Sequence, residues 1–200
     1  YHLLAALLGA LLLSACSSTE ITSSWSEETS ARRPFKDFLV IGISESETIR
    51  RSFESSFVTS LRKAGVNAQS SAPELPGEQA AEKGAILKAV ERVGSDAVLI
   101  THLVGEEERE VYTPPRTYAP PTYYSGYYPY YSRVYNYVHE PGYYTRYQVV
   151  QLETNLYDVS TEELVWSGRS ESIASSSELK VIQDVIDAVI GELKKAGFVP

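Results

Sequence analysis

Two short apolar runs constrain the fold of this chain more than any other feature of its sequence. They are residues 38–43, FLVIGI, and residues 96–104, DAVLITHLV. Each run is too short for a core helix and is rich in β-branched residues, which predicts a strand that is buried on both faces. Strands of that kind occur in parallel sheets whose faces are covered by helices. The sequence therefore predicts an α/β fold built around a central sheet.

The segments between these runs supply the helices that a parallel sheet requires. Residues 44–64 begin with the spacing of a capping box, Ser44 and Glu47. Residues 66–69 predict a short strand, and residues 80–93 predict a second helix. Right-handed crossovers make the strands parallel, so the predicted unit is β-α-β-α-β. The apolar stripe of the first helix is formed by Ile49, Phe53, Phe57 and Leu61.

The last part of the chain changes to the pattern of an antiparallel sheet. Residues 147–158 approximate apolar/polar alternation, and residues 163–173 follow after a turn. We expect residues 35–200 to form a single α/β domain, in which this antiparallel hairpin or meander and a C-terminal helix over residues 178–196 complete a mixed sheet. The buried stripe of that helix is predicted to be Leu179, Ile182, Ile186, Val189 and Leu193.

The first residues of the chain have the character of an export signal. Residues 1–15, YHLLAALLGALLLSA, carry no formal charge, and their apolar run is shorter than the ~20 residues that a bilayer-spanning helix needs. We expect the sequence to begin partway into this signal peptide. Small residues then precede Cys16, the only cysteine. The arrangement looks like the lipobox of bacterial lipoproteins, and that resemblance implies cleavage before Cys16 and transfer of a diacylglyceryl group to its thiol.

Two alternatives to a lipid anchor are an ordinary cleaved signal with a chance cysteine and a short buried helix with a core thiol. With the anchor, two or more acyl chains hold the protein on a membrane that it does not span. Ser17 is not the Asp that retains many such lipoproteins at the inner membrane. We therefore expect the periplasmic face of the outer membrane in a Gram-negative cell. In a Gram-positive cell this last step does not apply.

Residues 16–34 join the predicted anchor to the folded domain. Their composition is rich in Ser, Thr and Glu and cannot bury enough apolar surface to order itself, so we expect a flexible tether. Trp25 is the large aromatic residue of this segment, and it is expected either at the membrane interface or docked on the domain.

Tyrosine is concentrated in one inserted segment, residues 106–146. Thirteen of the 15 tyrosines lie in residues 112–147, and four glutamates open the insertion. Its first five prolines exclude a helix in that stretch and favour extended polyproline conformations. A Pro-Gly pair then holds type II turn positions, so we expect a long hairpin that joins residues 130–138 to a strand through Val150.

Three interpretations of this insertion remain open. Tyrosine offers a rigid ring for stacking and a hydroxyl for hydrogen bonding, which suits the binding of an envelope protein or a cell-wall glycan. Alternatively, the rings cover one another and the edge of the sheet, or the segment is a low-complexity loop without a fixed partner. The candidate partner-binding residues are Tyr123, Tyr124, Tyr127, Tyr128, Tyr130, Tyr131, Tyr135 and Tyr137.

Motifs that carry catalysis or bind metals are missing from the sequence. It contains no Gly-rich phosphate loop, no G-x-S-x-G and no H-E-x-x-H. His102 and His139 have no second His or Cys at ligand spacing, so we expect no metal, no catalytic residue and no cofactor other than the covalent lipid on Cys16. The acidic run 106–110 lacks the spacing of a calcium loop. A net charge of -8 argues against nucleic acid as a partner.

Several segments together resemble a group of small bacterial envelope lipoproteins of unknown function. The resemblance implies a compact α/β domain and supplies no catalytic residues. We therefore expect an outer-membrane-anchored periplasmic lipoprotein that acts as a non-enzymatic binding or structural component of the envelope. The alternative is a cell-wall-directed hydrolase whose site is assembled only in the folded chain. Besides the lipobox, the resemblance lies in STEITSSW, FKDFLVIGISESETIRRSFESSFVTSLRKAGV, SDAVLITHLV and LYDVSTEELVWSGRSES.

Overall fold

A six-stranded mixed sheet with apolar cores on both faces forms the centre of the structure. The computed structural model describes residues 19–27, 34–75, 83–114, 126–138, 142–174 and 177–200. The strands are β1 (Thr19–Ser26), β2 (Asp37–Ile43), β3 (Asn67–Ser70), β4 (Ala97–Thr113), β5 (Tyr143–Asp158) and β6 (Leu164–Ile173), in the sheet order β1-β6-β5-β4-β2-β3. The helices are α1 (Glu47–Lys63), α2 (Lys83–Val93), α3 (Tyr127–Val138) and α4 (Glu178–Lys195).

One half of the sheet is parallel, as the two apolar runs predicted. β2 pairs in parallel with β3 on one side and with β4 on the other. The run in β2 is apolar throughout because Phe38 and Val40 face one core and Leu39 and Ile41 face the other. The predicted β-α-β-α-β unit is therefore confirmed.

The other half of the sheet is antiparallel. β1 and β6 pair antiparallel, and β5 and β6 are joined by a short turn. The hydroxyls of Thr101 and Thr154 are 2.9 Å apart, and Gly105 lies beside the side chain of Gln151. Residue 101 of β4 thus lies near residue 154 of β5, and residue 105 lies near residue 151. Residue numbers rise along β4 while they fall along β5, so these two strands are also antiparallel. The predicted mixed sheet is confirmed.

Helices α1 and α4 cover one face of this sheet. Their predicted inward residues Phe57 and Leu61 of α1, and Ile186 and Leu193 of α4, are fully buried. The prediction of the buried stripe is wrong at one position, because Leu179 in the first turn of α4 is 65% exposed. Helix α2 covers part of the other face, where its residues pack on the second core.

A buried ion pair ties α1 to the loop that follows β3. Glu54 is fully buried, and its carboxylate accepts hydrogen bonds from the backbone N–H of Gly42 at 2.9 Å and of Ala72 at 2.8 Å. Nε of Arg50 donates to the same carboxylate at 3.1 Å, and Nη1 of Arg50 donates to the carbonyl of Leu75 at 3.0 Å. Buried charges persist only with partners of this kind, so the network holds the loop against the end of β2.

The prediction of a flexible tether is wrong for residues 19–26. These residues form β1, in which Thr19 lies opposite Ser172 with their hydroxyls 2.6 Å apart. The prediction weighed only apolar burial, whereas the backbone hydrogen bonds of a sheet also order a polar strand at its edge. Trp25 lies on this strand and is 51% exposed. The remaining parts of the signal and tether, residues 1–18 and 28–33, lie outside the described residues.

The predicted conformation of the tyrosine-rich insertion is wrong in two respects. β4 continues to Thr113 instead of ending at residue 104, and residues 127–138 form α3 instead of an arm of a hairpin. Pro129 is compatible with this helix because it lies in the first turn, where backbone N–H groups have no partner within the helix. β5, which begins at Tyr143, is the predicted return strand. Residues 115–125 and 139–141 lie outside the described residues.

The chain divides into two compact units. Unit 1 comprises Tyr1–Glu106 and Val150–Pro200, and unit 2 comprises Glu107–Val149. Unit 2 contains α3, the outer part of β4 and the outer part of β5. Within the ranges that the structure describes, no helix has the length and apolar character needed to cross a bilayer.

Candidate functional site

Exposed tyrosines cover α3 in unit 2. Tyr127 is 90% exposed, Tyr128 is 71% exposed and Tyr131 is 62% exposed. The rings of Tyr131 and Tyr135 lie 5.6 Å apart at an angle of 31°. The helix therefore presents a group of neighbouring rings to solvent. We call the exposed tyrosines of α3 the tyrosine surface, and they are Tyr127, Tyr128, Tyr130, Tyr131 and Tyr135.

The other predicted site residues are not part of this described surface. Tyr137 lies in α3. Cys16, Tyr123 and Tyr124 lie outside the described residues. Of the eight tyrosines predicted from the sequence, the helix thus brings five together on exposed positions.

Three further exposed tyrosines lie on the strands of unit 2, and the sequence analysis did not select them. The rings of Tyr112 on β4 and Tyr144 on β5 are 4.8 Å apart, and Tyr143 is 61% exposed. The ring of Tyr112 also lies against the backbone of Gly142, where a Cβ atom would force the phenol end of Tyr112 to move. The enrichment in tyrosine across residues 112–147 could have indicated these three positions, because it extends beyond the eight predicted binding residues.

The acidic run of β4 is paired with arginines of the same unit. Nε of Arg146 lies 3.1 Å from Oε1 of Glu110 and 3.7 Å from a carboxylate oxygen of Glu108. Nη2 of Arg109 lies 3.1 Å from Oε2 of Glu107. Exposed pairs of this kind each stabilise a fold by at most ~1 kcal/mol. The two arginines offset two of the four negative charges in the acidic run.

A group of hydrogen-bonded polar side chains on β5 and β6 in unit 1 was not predicted from the sequence. Nε of Arg169 on β6 donates to Oε2 of Glu153 on β5 at 3.0 Å, and Asn155 donates to the same carboxylate at 3.2 Å. These two hydrogen bonds, together with the positive charge of Arg169 and a smaller effect of His102, hold the pKa of Glu153 below its usual range. Arg169 and Glu153 meet because their side chains lie on the same face of two neighbouring strands. A single sequence does not show which residues of two strands lie side by side.

A cleft of about 860 Å³ lies in unit 1, near the turn between β5 and β6. Its carboxylate Asp96 accepts hydrogen bonds from the backbone N–H of Lys36 at 3.0 Å and of Asp37 at 2.9 Å. Oγ of Ser160 donates to Oδ1 of Asp158 at 2.6 Å, a contact between residues two apart in the same turn. No histidine is among the described residues that line this cleft. Asp96 therefore binds the backbone that leads into β2, and Asp158 binds its own turn, where the backbone N–H of Ser160 also donates to Oδ1 at 2.7 Å.

A metal site needs several ligating side chains close together. Within those ranges, no three His, Cys, Asp or Glu side chains are grouped closely enough to hold an ion. His102 lies on β4 opposite Ile43 and is half-buried.

The sequence matches one family model. That model is described as Domain of unknown function (DUF4136), and it matches residues 82–193, which is more than half of the chain. The chain therefore belongs to this family. A search of curated protein sequences finds no match.

Solved structures similar to this one come from several bacteria. The PelC dodecamer from Paraburkholderia phytofirmans is 18% identical, with 86% of this chain and 94% of that chain covered and a TM-score of 0.45. Lipoprotein GNA1162 from Neisseria meningitidis is 16% identical, with 80% and 99% covered and a TM-score of 0.42. A PDZ domain protein from Parabacteroides distasonis is 12% identical, with 88% and 36% covered and a TM-score of 0.36.

Proposed function

We propose that this protein is a lipid-anchored envelope protein that acts by binding, without catalysis, through the tyrosine surface. The observation that carries the proposal is the exposure of three tyrosines on one helix, Tyr127, Tyr128 and Tyr131, which are 90%, 71% and 62% exposed. Clusters of exposed aromatic side chains often mark sites of interaction. Tyrosine also gives contact area at a low entropic cost, since few torsions are frozen on binding.

The anchor in this proposal is Cys16. Support comes from the apolar run that ends in Leu13-Ser14-Ala15 directly before this single cysteine. With Ser17 in the following position, the proposed location is the periplasmic face of an outer membrane. The net charge of -8 gives the chain no electrostatic attraction to anionic headgroups, so lipid has to supply the attachment.

The proposed binding partner is a component of the envelope, such as a protein or a cell-wall glycan, and not a nucleic acid. A surface of neutral phenol rings suits stacking on sugars or packing on protein, whereas nucleic acid requires a basic surface. The hydrolase alternative gains no support from the cleft, because Ser160 meets Asp158 only as a neighbour in one turn. A serine nucleophile needs a base such as histidine to activate it.

The anchor is tested by labelling cells with radioactive palmitate. We expect the wild-type protein to take up label and Cys16→Ser to take up none, because the substitution removes the acceptor thiol. A neighbouring Ser17→Ala variant controls for disruption of the export signal and is expected to be labelled like the wild type. Equal labelling of Cys16→Ser and wild type would contradict the proposed anchor.

The binding surface is tested by photo-cross-linking in intact cells. A photoreactive phenylalanine analogue at position 131 is expected to form covalent adducts with an envelope component, since this side chain is 62% exposed among other rings. The matched control is the same analogue at position 87, where Leu87 is 44% exposed on α2 and is not expected to form them. Adducts at position 87 and none at position 131 would exclude the tyrosine surface as the binding site.

A further inference from the structure

We infer that the tyrosine surface contacts the same bilayer that holds the acylated Cys16, so that the protein has a second attachment at the membrane interface. The inference rests on the proposed lipid anchor and names the occupant of the proposed binding surface. It follows from the short distance between the anchor and the sheet, from the points at which the chain enters and leaves unit 2, and from the charge and composition of unit 2.

The anchor lies close to the sheet because β1 begins almost immediately after Cys16. Only Ser17 and Ser18 separate the cysteine from Thr19, the first residue of β1. A fully extended chain spans at most ~3.6 Å per residue, so Glu20 is within about 14 Å of the acylated residue. The ordered strand thus replaces the longer tether that the composition predicted, and it keeps this end of the sheet at the membrane.

Unit 2 is connected to unit 1 at that same end of the sheet. Glu20 lies opposite Glu171, Nε2 of Gln151 donates to the carboxylate of Glu171 at 3.0 Å, and Gly105 lies beside Gln151. These four residues form one row across β1, β6, β5 and β4. The row is about 14 Å wide, since neighbouring strands are ~4.8 Å apart. Both chain connections to unit 2, after Glu106 and before Val150, adjoin this row.

The chain enters unit 2 a short distance from the residue that carries the proposed anchor. The outer part of β4, residues 107–113, belongs to unit 2. At ~3.3 Å per residue it spans about 23 Å. Gly105, from which this part of the strand departs, lies within about 28 Å of the acylated residue, because Glu20 is within about 14 Å of that residue and the row adds about 14 Å.

Exposed apolar side chains in unit 1 are also concentrated at this end. Ile43 is the last residue of β2 and is 60% exposed, and Ile173 is the last residue of β6 and is 46% exposed. Leu103 and Val104 immediately precede Gly105 on β4, and both are exposed. These side chains add exposed apolar area at the end of the sheet nearest Thr19, the first residue of β1.

The composition of unit 2 suits the interface of a bilayer. Residues 107–149 contain four glutamates, four arginines and 13 tyrosines, so the unit is formally neutral and the whole charge of -8 belongs to the rest of the chain. A neutral surface is not repelled by anionic headgroups, unlike the acidic remainder. Tyrosine is enriched at membrane interfaces, because its ring enters the apolar boundary while its hydroxyl stays among headgroups.

The test places one environment-sensitive fluorophore on the lipidated protein in phosphatidylcholine vesicles. The thiol of Cys16 is consumed by its lipid, so a Tyr128→Cys substitution creates a single labelling site on the tyrosine surface. The matched control is Thr161→Cys, in the exposed turn between β5 and β6. We expect the emission of the label at position 128 to shift to the blue and to be quenched by nitroxide-bearing lipids. The label at position 161 is expected to behave as in water.

The outcomes separate this inference from the proposed function. In one outcome the protein binds the vesicles, but the label at position 128 has the emission and quenching of the label at position 161. This result overturns the bilayer contact and is still consistent with the lipid anchor. In another outcome the emission at position 128 shifts to the blue only after cell-wall glycan or an envelope protein extract is added. This result identifies another occupant of the tyrosine surface and also overturns the bilayer contact. Protein that does not float with the vesicles shows that the anchor itself is absent, and both proposals then fail.

Discussion

A single glycine determines how Trp166 fits into the core. Trp166 is 1% exposed, and a Cβ atom placed at Gly168 would lie 2.4 Å from Cη2 of its ring. No spacing or motif marks this glycine in the sequence, because the contact depends on the rotamer of a side chain two residues away. The absence of a side chain at position 168 is therefore a packing requirement, while its backbone conformation is an ordinary extended one.

The first prediction concerns this contact. We expect Gly168→Ala to lower the free energy of unfolding by about 1–3 kcal/mol, the range typical of overpacked cores, since a ring that is 1% exposed has no room to move away. Urea denaturation followed by circular dichroism measures the change. The control is Gly191→Ala in α4, where a Cβ would meet nothing within 4 Å and where alanine is expected to stabilise the helix by up to ~1 kcal/mol. Equal stability of the two variants would contradict the packing argument.

Among the secondary-structure elements, β1 has the largest effect on the interpretation of the chain. Its residues are mostly polar and exposed, so its order comes from the backbone ladder with β6. The backbone N–H of Glu27 donates to the carbonyl of Val165 at 3.1 Å. In an antiparallel pair the inward N–H groups recur at every second residue, so those of Ser23 and Trp25 also point toward β6 and that of Ser24 points outward.

The second prediction uses this alternation. Ser23→Pro removes an inward donor and is expected to lower the free energy of unfolding by ~1–3 kcal/mol and to speed amide exchange along β1. Ser24→Pro removes only an outward N–H of an edge strand, a position where proline is tolerated. Hydrogen exchange measured by mass spectrometry distinguishes the two variants. If both prolines leave exchange in residues 19–26 unchanged and fast, this segment is the tether that its composition indicated.

In the molecule as a whole, the buried core residues and the exposed tyrosines of α3 lie in different compact units. The described core residues with less than a tenth of their surface exposed lie almost entirely in unit 1, whereas unit 2 contributes exposed rings and charged pairs. Unit 1 contains the central sheet, both apolar cores and the buried Glu54 carboxylate. We therefore expect unit 1 to fold without unit 2.

The third prediction tests this independence. Replacing residues 107–149 by Asn-Gly joins β4 and β5 through a two-residue hairpin turn, which their antiparallel neighbourhood permits. We expect the thermal midpoint of the shortened chain to stay within a few degrees of the wild-type midpoint, because no large buried cluster is removed. Differential scanning calorimetry measures it, and a fall of many degrees would show that unit 2 is part of the folding core.

Prediction from the sequence succeeded where burial dictates residue type over several neighbouring positions. The runs in β2 and β4 and the stripe of α4 are of this kind, because a strand covered on both faces or a helix packed on a sheet needs apolar residues at fixed spacing. It failed for α3, because Pro129 was taken to exclude a helix, although proline is accepted in a first turn. Among the site residues, tyrosine enrichment located the exposed rings of α3 and did not reveal the ring pair of Tyr112 and Tyr144.

By itself the sequence determined the α/β class, the order of the central elements, the candidate lipid anchor at Cys16 and the segment that holds the tyrosines. Those properties depend on periodicity and composition within short stretches. Only the tertiary structure decided that residues 19–26 belong to the sheet, that Glu20 lies in one row with Gly105, and that Trp166 leaves no space at position 168. The reason is physical. The first two facts are contacts between strands far apart in the chain, and pairing across a sheet is set by backbone hydrogen bonds that every residue type can make. The third depends on the rotamer of a buried side chain, which packing in the folded core selects.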